Sequence, residues 1–297
     1  MAPRTFLSPA KGVAAGLALG VNTLVMCLAM TPAALLKLLV PAAGVRHFAD
    51  RILNGLARAW ISVNNAWMGA VNRAHWDVQG LEGLDPRHWY LVSSNHQGWV
   101  DIFVLQRTLH GHTPLLKFFL KRELLYVPVI GLAWWALDFP FVSRRGGVQG
   151  SKDDMESALK ACNRFRAMPT AVLNFLEGTR YTEDKARAQK SPYRHLLKPK
   201  AGGLAMAMAT LGDKIDAVLD VTLVYPGGVP TFWGLLCGRL ERVVVRVRAL
   251  HPPEALMLPD ASRDPRFRGK VQAWLNTAWA EKDRAIDELL NATTEAG

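Results

Sequence analysis

The chain is 297 residues long and half hydrophobic, with 36 Lys and Arg against 25 Asp and Glu and a formal net charge of +11. That length builds one large domain with an accessory segment and excludes three domains, and the apolar share is ample for a core. The three cysteines, Cys27, Cys162 and Cys237, lie far apart without CxxC spacing, so neither a disulfide framework nor a zinc site is indicated, and a reducing compartment fits best.

Residues Gly12 to Leu36 carry no charge. A continuous helix over that stretch is about 37 Å long, enough to cross a hydrocarbon core of about 30 Å. Pro32 is a position where such a helix kinks or ends. The run is long for a signal-peptide core and no small-x-small site stands cleanly after it, so the segment is expected to be retained. A second helix is predicted over Val45–Trp76, where Phe48, Ile52, Leu56, Trp60, Val63 and Trp67 recur at three- and four-residue steps. Arg46, Arg51 and Arg58 lie among them, and Arg flanks with Trp on the apolar side suit a membrane interface. From His75 onward short apolar runs alternate with helical stretches. Strands are predicted at Trp89–Ser94, Leu137–Ser143, Thr170–Glu177, Ala217–Tyr225 and Val243–Leu250. Helices are predicted at Trp99–His110, Lys152–Arg166, Ala201–Leu211 and Arg268–Leu290. This alternation predicts an α/β fold, a mixed sheet flanked by helices, behind an N-terminal membrane-associated helical pair. The expected division is residues 1–74 as anchor and 75–297 as catalytic domain.

Two polar motifs stand where strands end. The first is Ser93-Ser94-Asn95-His96-Gln97-Gly98-Trp99-Val100-Asp101. Histidine suits proton transfer near neutral pH, and a histidine base needs a partner on its other ring nitrogen. Five residues do not share a face of one helix. His96 and Asp101 therefore meet only if His96 sits in the loop and Asp101 one turn inside the helix. The second motif is Phe175-Leu176-Glu177-Gly178-Thr179-Arg180. Glycine there lets backbone approach a ligand closely, and arginine binds phosphate bidentately. Residues 180–200 then carry seven basic side chains against two acidic ones, either a solvated loop or a guide for an anionic headgroup. Arg144 to Gly150 matches no phosphate-loop pattern and is taken as a turn. His110 and His112 have no further ligand cluster nearby, so no metal is expected. Leu132–Leu137, with Trp134 and Trp135, is either core or a wall of an acyl tunnel.

Asn-His-x4-Asp followed some eighty residues later by Phe-x-Glu-Gly-Thr-Arg resembles the PlsC-like glycerolipid acyltransferases, the lysophosphatidic acid acyltransferase superfamily. Phe141-Val142-Ser143-Arg144 is similar to that family's second block, and Val221-Thr222-Leu223-Val224-Tyr225-Pro226 to its fourth. The resemblance covers Trp89 to Pro226, about half the chain. It implies a catalytic dyad of His96 and Asp101 supported by Asn95. It implies an acceptor-phosphate site of Arg144, Glu177, Gly178, Thr179 and Arg180, with Lys200 at the end of the cationic run. Leu176 stands where the family often has Pro, which is similar to the branch of lysocardiolipin and lysophosphatidylinositol acyltransferases and their bacterial inner-membrane relatives.

The activity that this resemblance implies is transfer of a fatty acyl chain from acyl-CoA or acyl-ACP to the free hydroxyl of a lysophospholipid, with no cofactor. A lipid ester or thioester hydrolase with the same dyad, and a non-catalytic anionic-lipid-binding protein, are the alternatives. Nucleic acid is disfavoured, because the aromatic residues form no RNA-recognition pattern. Anionic membrane lipid is the expected partner of the positive charge. The helical pair is expected to enter and leave one leaflet of a bacterial inner membrane, with the catalytic domain on the cytoplasmic face.

Overall fold

The computed structural model describes residues 7–139, 141–142, 164–166, 168–258, 261 and 264–295. The described residues of Met1–Arg73, Lys117–Arg164 and Trp233–Arg239 form one compact unit, and those of Ala74–Leu116, Phe165–Phe232 and Leu240–Gly297 form a second.

The first unit is built on helices α1 (Leu7–Leu39) and α2 (Ala43–Val71). α1 runs through Pro32 to Leu39. Side chains bond between the helices at Lys11–Val71, Trp67–Ala15, Asn22–Asn64 and Lys37–Asp50. One index falls as the other rises, so the helices are antiparallel. Val13, Leu17, Val21, Leu24 and Leu28 form an exposed apolar stripe on α1. On α2 the buried stripe is Ala49, Leu53, Ala57, Ile61, Asn64 and Met68. That is one residue on from the apolar series legible in the sequence, so Phe48, Ile52 and Val63 remain exposed. The apolar series legible in the sequence thus runs along the edge of the packed stripe, with Leu56, Trp60 and Trp67 half-buried.

Later segments complete this unit. They are strands β4 (Leu120–Lys121) and β5 (Phe141–Val142), the 3-10 turn Arg122–Tyr126 and α4 (Ile130–Ala136). Of the strand expected over Leu137–Ser143, the described residues Phe141–Val142 form β5 and Leu137–Phe139 do not extend it, while Pro140 and Ser143 lie outside the described residues. The N–H groups of Leu137, Asp138 and Phe139 are spent on the last carbonyls of α4, at 3.0 Å each, and cannot enter a ladder. Lys37 ties the unit together, its Nζ reaching Asp50 at 2.7 Å, Asp138 at 2.6 Å and the carbonyl of Ala136 at 2.8 Å. Ala133, Ala136 and Leu137 are core. The helix expected at Lys152–Arg166 lies almost wholly outside the described residues, as do Arg144, the turn after it and Cys162.

The sheet has six strands in the order β1-β8-β7-β2-β6-β3. They are β1 (His75–Gln79), β2 (Tyr90–Ser94), β3 (Leu116–Phe118), β6 (Ala171–Phe175), β7 (Ala217–Val224) and β8 (Arg242–Leu250). β2 pairs in parallel with both β6 and β7, β1 in parallel with β8, and β7 antiparallel to β8. The sheet is therefore mixed, as expected. Helices α3 (Val100–Leu109), α5 (Glu183–Gln189), α6 (Gly202–Leu211), α7 (Phe232–Leu236) and α8 (Phe267–Glu295) complete the chain. α5 lies in the cationic stretch that reads as a loop. Thr182 caps it, with Oγ1 accepting the Lys185 N–H at 3.3 Å, and Glu183 and Asp184 complement its dipole.

Every residue of β7 is buried. α8 packs against it with the stripe Val271, Leu275, Trp279, Lys282 and Ile286. Lys282 is fully buried in that stripe. Its Nζ donates to the Val221 carbonyl at 2.7 Å and pairs with Asp220 at 2.8 Å. Arg248 from β8 takes the other Asp220 oxygen at 2.9 Å.

Candidate active site

Strands β2, β6 and β7 are mutually parallel through β2, so their carboxyl ends emerge on one edge of the sheet. In open α/β sheets that edge is where sites form, because the loops there leave adjacent strands together. Asn95-His96 follows β2, Glu177 follows β6 and Tyr225 follows β7. Asn95 closes the gap between two of these ends. Its amide donates to the Leu223 carbonyl at 2.9 Å and its oxygen accepts the Leu223 N–H at 2.8 Å.

His96 lies in the loop and Asp101 in the first turn of α3, the arrangement their spacing requires. Asp101 turns back over the loop ahead of its own helix. Its Oδ2 lies 2.9 Å from His96 Nδ1 and accepts the N–H groups of Gln97 at 2.6 Å and Gly98 at 2.9 Å. Its Oδ1 accepts the Tyr225 hydroxyl at 2.7 Å. The carboxyl is wholly buried, and four donors answer its desolvation. With Nδ1 so engaged, Nε2 is the free ring nitrogen, and among the described residues nothing hydrogen-bonds it. The imidazole stacks on Phe175 with ring centroids 3.9 Å apart and retains 16% of its side-chain exposure.

Glu177 does not reach outward. It is fully buried, its Oε1 accepting the His96 N–H and its Oε2 the Leu197 N–H, each at 2.9 Å. Burial pushes its carboxyl up to about 7, against the downward pull of those two N–H groups. The motif that suggested a phosphate ligand thus uses its glutamate to hold the histidine loop. The remainder of the motif is outward. Gly178 adopts φ 70°, and a side chain there would meet Lys200 Nζ at 3.3 Å. The Lys200 N–H bonds the Leu176 carbonyl at 2.8 Å, which brings these two parts of the cationic stretch together. Lys185 Nζ donates to Thr179 Oγ1 and to the Arg180 carbonyl, each at 2.9 Å. The Arg180 guanidinium lies 5.5 Å over the exposed ring of Trp99. Arg180, two residues after Gly178, and Lys200, whose Nζ lies beside it, are both exposed cations.

The structure thus gathers Asn95, His96, Asp101, Glu177, Gly178, Thr179, Arg180 and Lys200, while Arg144 lies outside the described residues. Sequence reasoning missed Tyr225 and Lys185 as members of the site. The signal for Tyr225 was its place at the end of the apolar strand before Pro226, the position from which a parallel strand presents a side chain to the edge.

A paired histidine thus stands at the carboxyl edge of a mixed sheet, beside a cationic turn. The chain belongs to the Acyltransferase family, whose family model matches residues 75–226. It is 31% identical over 212 residues to the 1-acyl-sn-glycerol-3-phosphate acyltransferase delta of Mus musculus, covering 67% of this chain and 52% of that one. It is 28% identical over 257 residues to lysocardiolipin acyltransferase 1 of Danio rerio, covering 82% of this chain and 62% of the relative. The chain spans about half the length of the first of these curated relatives. The crystal structure of the 1-acyl-sn-glycerophosphate acyltransferase PlsC of Thermotoga maritima shares the fold with a TM-score of 0.51 at 18% identity, covering 91% of this chain and 97% of that one.

Proposed function

We propose that this protein moves a fatty acyl chain from an acyl thioester, acyl-CoA or acyl-ACP, to the free hydroxyl of a lysophospholipid in phospholipid synthesis or remodelling. The observation that carries the reading is His96 held through Nδ1 by the buried Asp101, with Nε2 free. Nε2 takes the proton of the acceptor hydroxyl as its oxygen attacks the thioester carbonyl. The carbon–sulfur bond then breaks, and the proton on Nε2 passes to the departing thiolate. Asp101 orients the imidazole and stabilises its cationic form while the proton is held. No covalent acyl-enzyme is needed. Arg180 and Lys200, with Arg144 on the family pattern, hold the acceptor phosphate. The matched relatives carry 1-acylglycerol phosphate and lysocardiolipin in their names, which favours an anionic acceptor.

The site works on lipids, so we place it at a bilayer surface. α1 is the one helix among the described residues long and apolar enough to cross a membrane. Its exposed stripe and that of α2 form the anchor in this reading, with the catalytic unit on the cytoplasmic side, where acyl thioesters are made.

The test is incubation of purified protein with a panel of lysophospholipids and acyl thioesters, followed by mass analysis of the products. Wild-type protein should form a two-chain lipid. His96→Ala should lose on the order of 10²–10⁴ in kcat while remaining folded, the usual contribution of a general base. Asp101→Asn should be severely impaired, because a neutral amide stabilises the imidazolium poorly and offers one acceptor oxygen where the carboxylate answers four donors with two. Near-wild-type turnover in His96→Ala would sink the mechanism.

A further inference from the structure

Tyr225 is the first residue after β7, and its side chain is buried. A buried phenol needs a partner for its hydroxyl. Here the partner is Asp101 Oδ1, at 2.7 Å. The other carboxylate oxygen, Oδ2, already takes His96 Nδ1 and the N–H groups of Gln97 and Gly98. These three contacts resist a turn of the carboxylate about its Cβ–Cγ bond at one oxygen alone. A donor on Oδ1 resists it at the other. Orientation matters because the His96 contact is directional, and a hydrogen bond weakens steeply as its angle departs from linearity.

We propose that Tyr225 is a positioning residue for acyl transfer. By donating to Asp101 Oδ1 it sets the plane of the carboxylate, which in turn aims His96 Nε2 at the acceptor hydroxyl. The inference rests on the reading of His96 as general base. Tyr225 itself touches no reacting atom. The register of the sheet delivers it. Ser94 of β2 lies opposite Val221 of β7, so β7 continues past the end of β2 and brings its next residue under the loop that carries His96 and Asp101. The hydroxyl is a lasting donor, since burial, followed by the Asp101 charge, pushes the phenol well above its ordinary value of 10. The hydrophobic–Pro block at the end of β7 therefore has a chemical role at this site beyond packing.

Tyr225→Phe removes one oxygen and keeps the ring. Full-length wild type, Tyr225→Phe, Asp101→Asn, the double variant and His96→Ala are compared in detergent with oleoyl-CoA and 1-oleoyl lysophosphatidate, or with the best acceptor from the panel. Tyr225→Phe should lower kcat roughly ten- to hundred-fold, the loss of one hydrogen bond to a charged group. KM for both substrates should stay within about two-fold, because binding contacts are untouched. Adding Tyr225→Phe to Asp101→Asn should cost less than about two-fold more, because both act through the same carboxyl. Unfolding midpoints are read in parallel, and all rates are taken below the lowest of them, so a packing defect is not mistaken for a positioning one.

Unchanged kcat in Tyr225→Phe overturns the role, and so does a full multiplicative loss in the double variant, which would mark Tyr225 as acting independently of Asp101. A rise in KM with kcat preserved overturns it as well, by placing Tyr225 in substrate binding. If His96→Ala remains active, the general-base reading fails and takes this inference with it. If His96→Ala is inactive and Tyr225→Phe is not impaired, only the role of Tyr225 fails.

Discussion

Glu177 ties together two loops by accepting the backbone N–H groups of His96 and Leu197. Burial raises its carboxyl from 4.5 to about 7. In the unfolded chain the group ionises near its ordinary value, so between about pH 4.5 and 7 the folded protein binds more protons than the unfolded one. The protonated carboxyl therefore contributes stability that is fully present below pH 4.5 and lost as pH rises through about 7. At 1.36 kcal/mol per unit the swing is on the order of 3 kcal/mol. Urea midpoints of wild type and Glu177→Gln, measured from pH 4 to 8, should show this slope in the wild type and its loss in the variant. Parallel curves would assign the pH dependence to another group. The variant should also be less active, since a Gln amide turns a donor toward one of the two N–H groups and loosens the His96 loop.

α8 carries a buried charge at its contact with the sheet. Lys282 sits in an otherwise apolar stripe, fully buried, and burial lowers its pKa against the attraction of Asp220. It bonds both the Asp220 side chain and the backbone of β7. Removing one partner of a buried pair strands the other, at a typical cost of 3–5 kcal/mol. Arg248 still answers Asp220 from the partly exposed side, which softens the loss. Lys282→Met should therefore destabilise by about 3 kcal/mol in urea unfolding, and adding Asp220→Asn should recover part of that. A loss under about 0.5 kcal/mol, the scale of an ordinary surface change, would show that Arg248 alone suffices. Elements of this kind were legible in outline. Apolar runs of six to nine residues marked β2, β6, β7 and β8, and the three- and four-residue recurrence marked α2. Those signals are local, and side-chain burial on one face writes them into the sequence. β1 and β3 gave no such signal, because they are short and the strands they pair with, β8 and β6, lie far away along the chain.

For the molecule as a whole, a net charge of +11 and an exposed apolar stripe on α1 both favour a membrane, and they predict different responses to salt. At about 1 M salt the Debye length is about 3 Å and surface attraction is largely screened. Apolar insertion persists. The full chain should remain with membranes after a high-salt or carbonate wash and leave them only in detergent. Release by salt alone would assign the attachment to charge. Topology has its own measurement, labelling of single cysteines in place of Arg4 and Asp85 in a chain lacking its native thiols. In intact cells both should resist an impermeant reagent. Labelling of the first from outside would exclude an anchor confined to one leaflet, and labelling of the second would exclude a cytoplasmic active site.

By itself the sequence determined the α/β alternation, the apolar amino-terminal helix and the two polar motifs with their residues in order. These features arise from local periodicity, from turn chemistry and from side-chain types that only certain reactions need. Only the tertiary structure decided which face of α2 packs, because the packed stripe and the series along its edge satisfy the same periodicity. It also decided that residues 117–139 share a unit with the amino-terminal helices, through contacts such as Lys37 to Asp138, and that Glu177 faces inward. Tyr225 belongs to the same class. Its distance from Asp101 along the chain hides a contact that exists because β2 and β7 run parallel and end on one edge, and no local pattern encodes which strands will become neighbours.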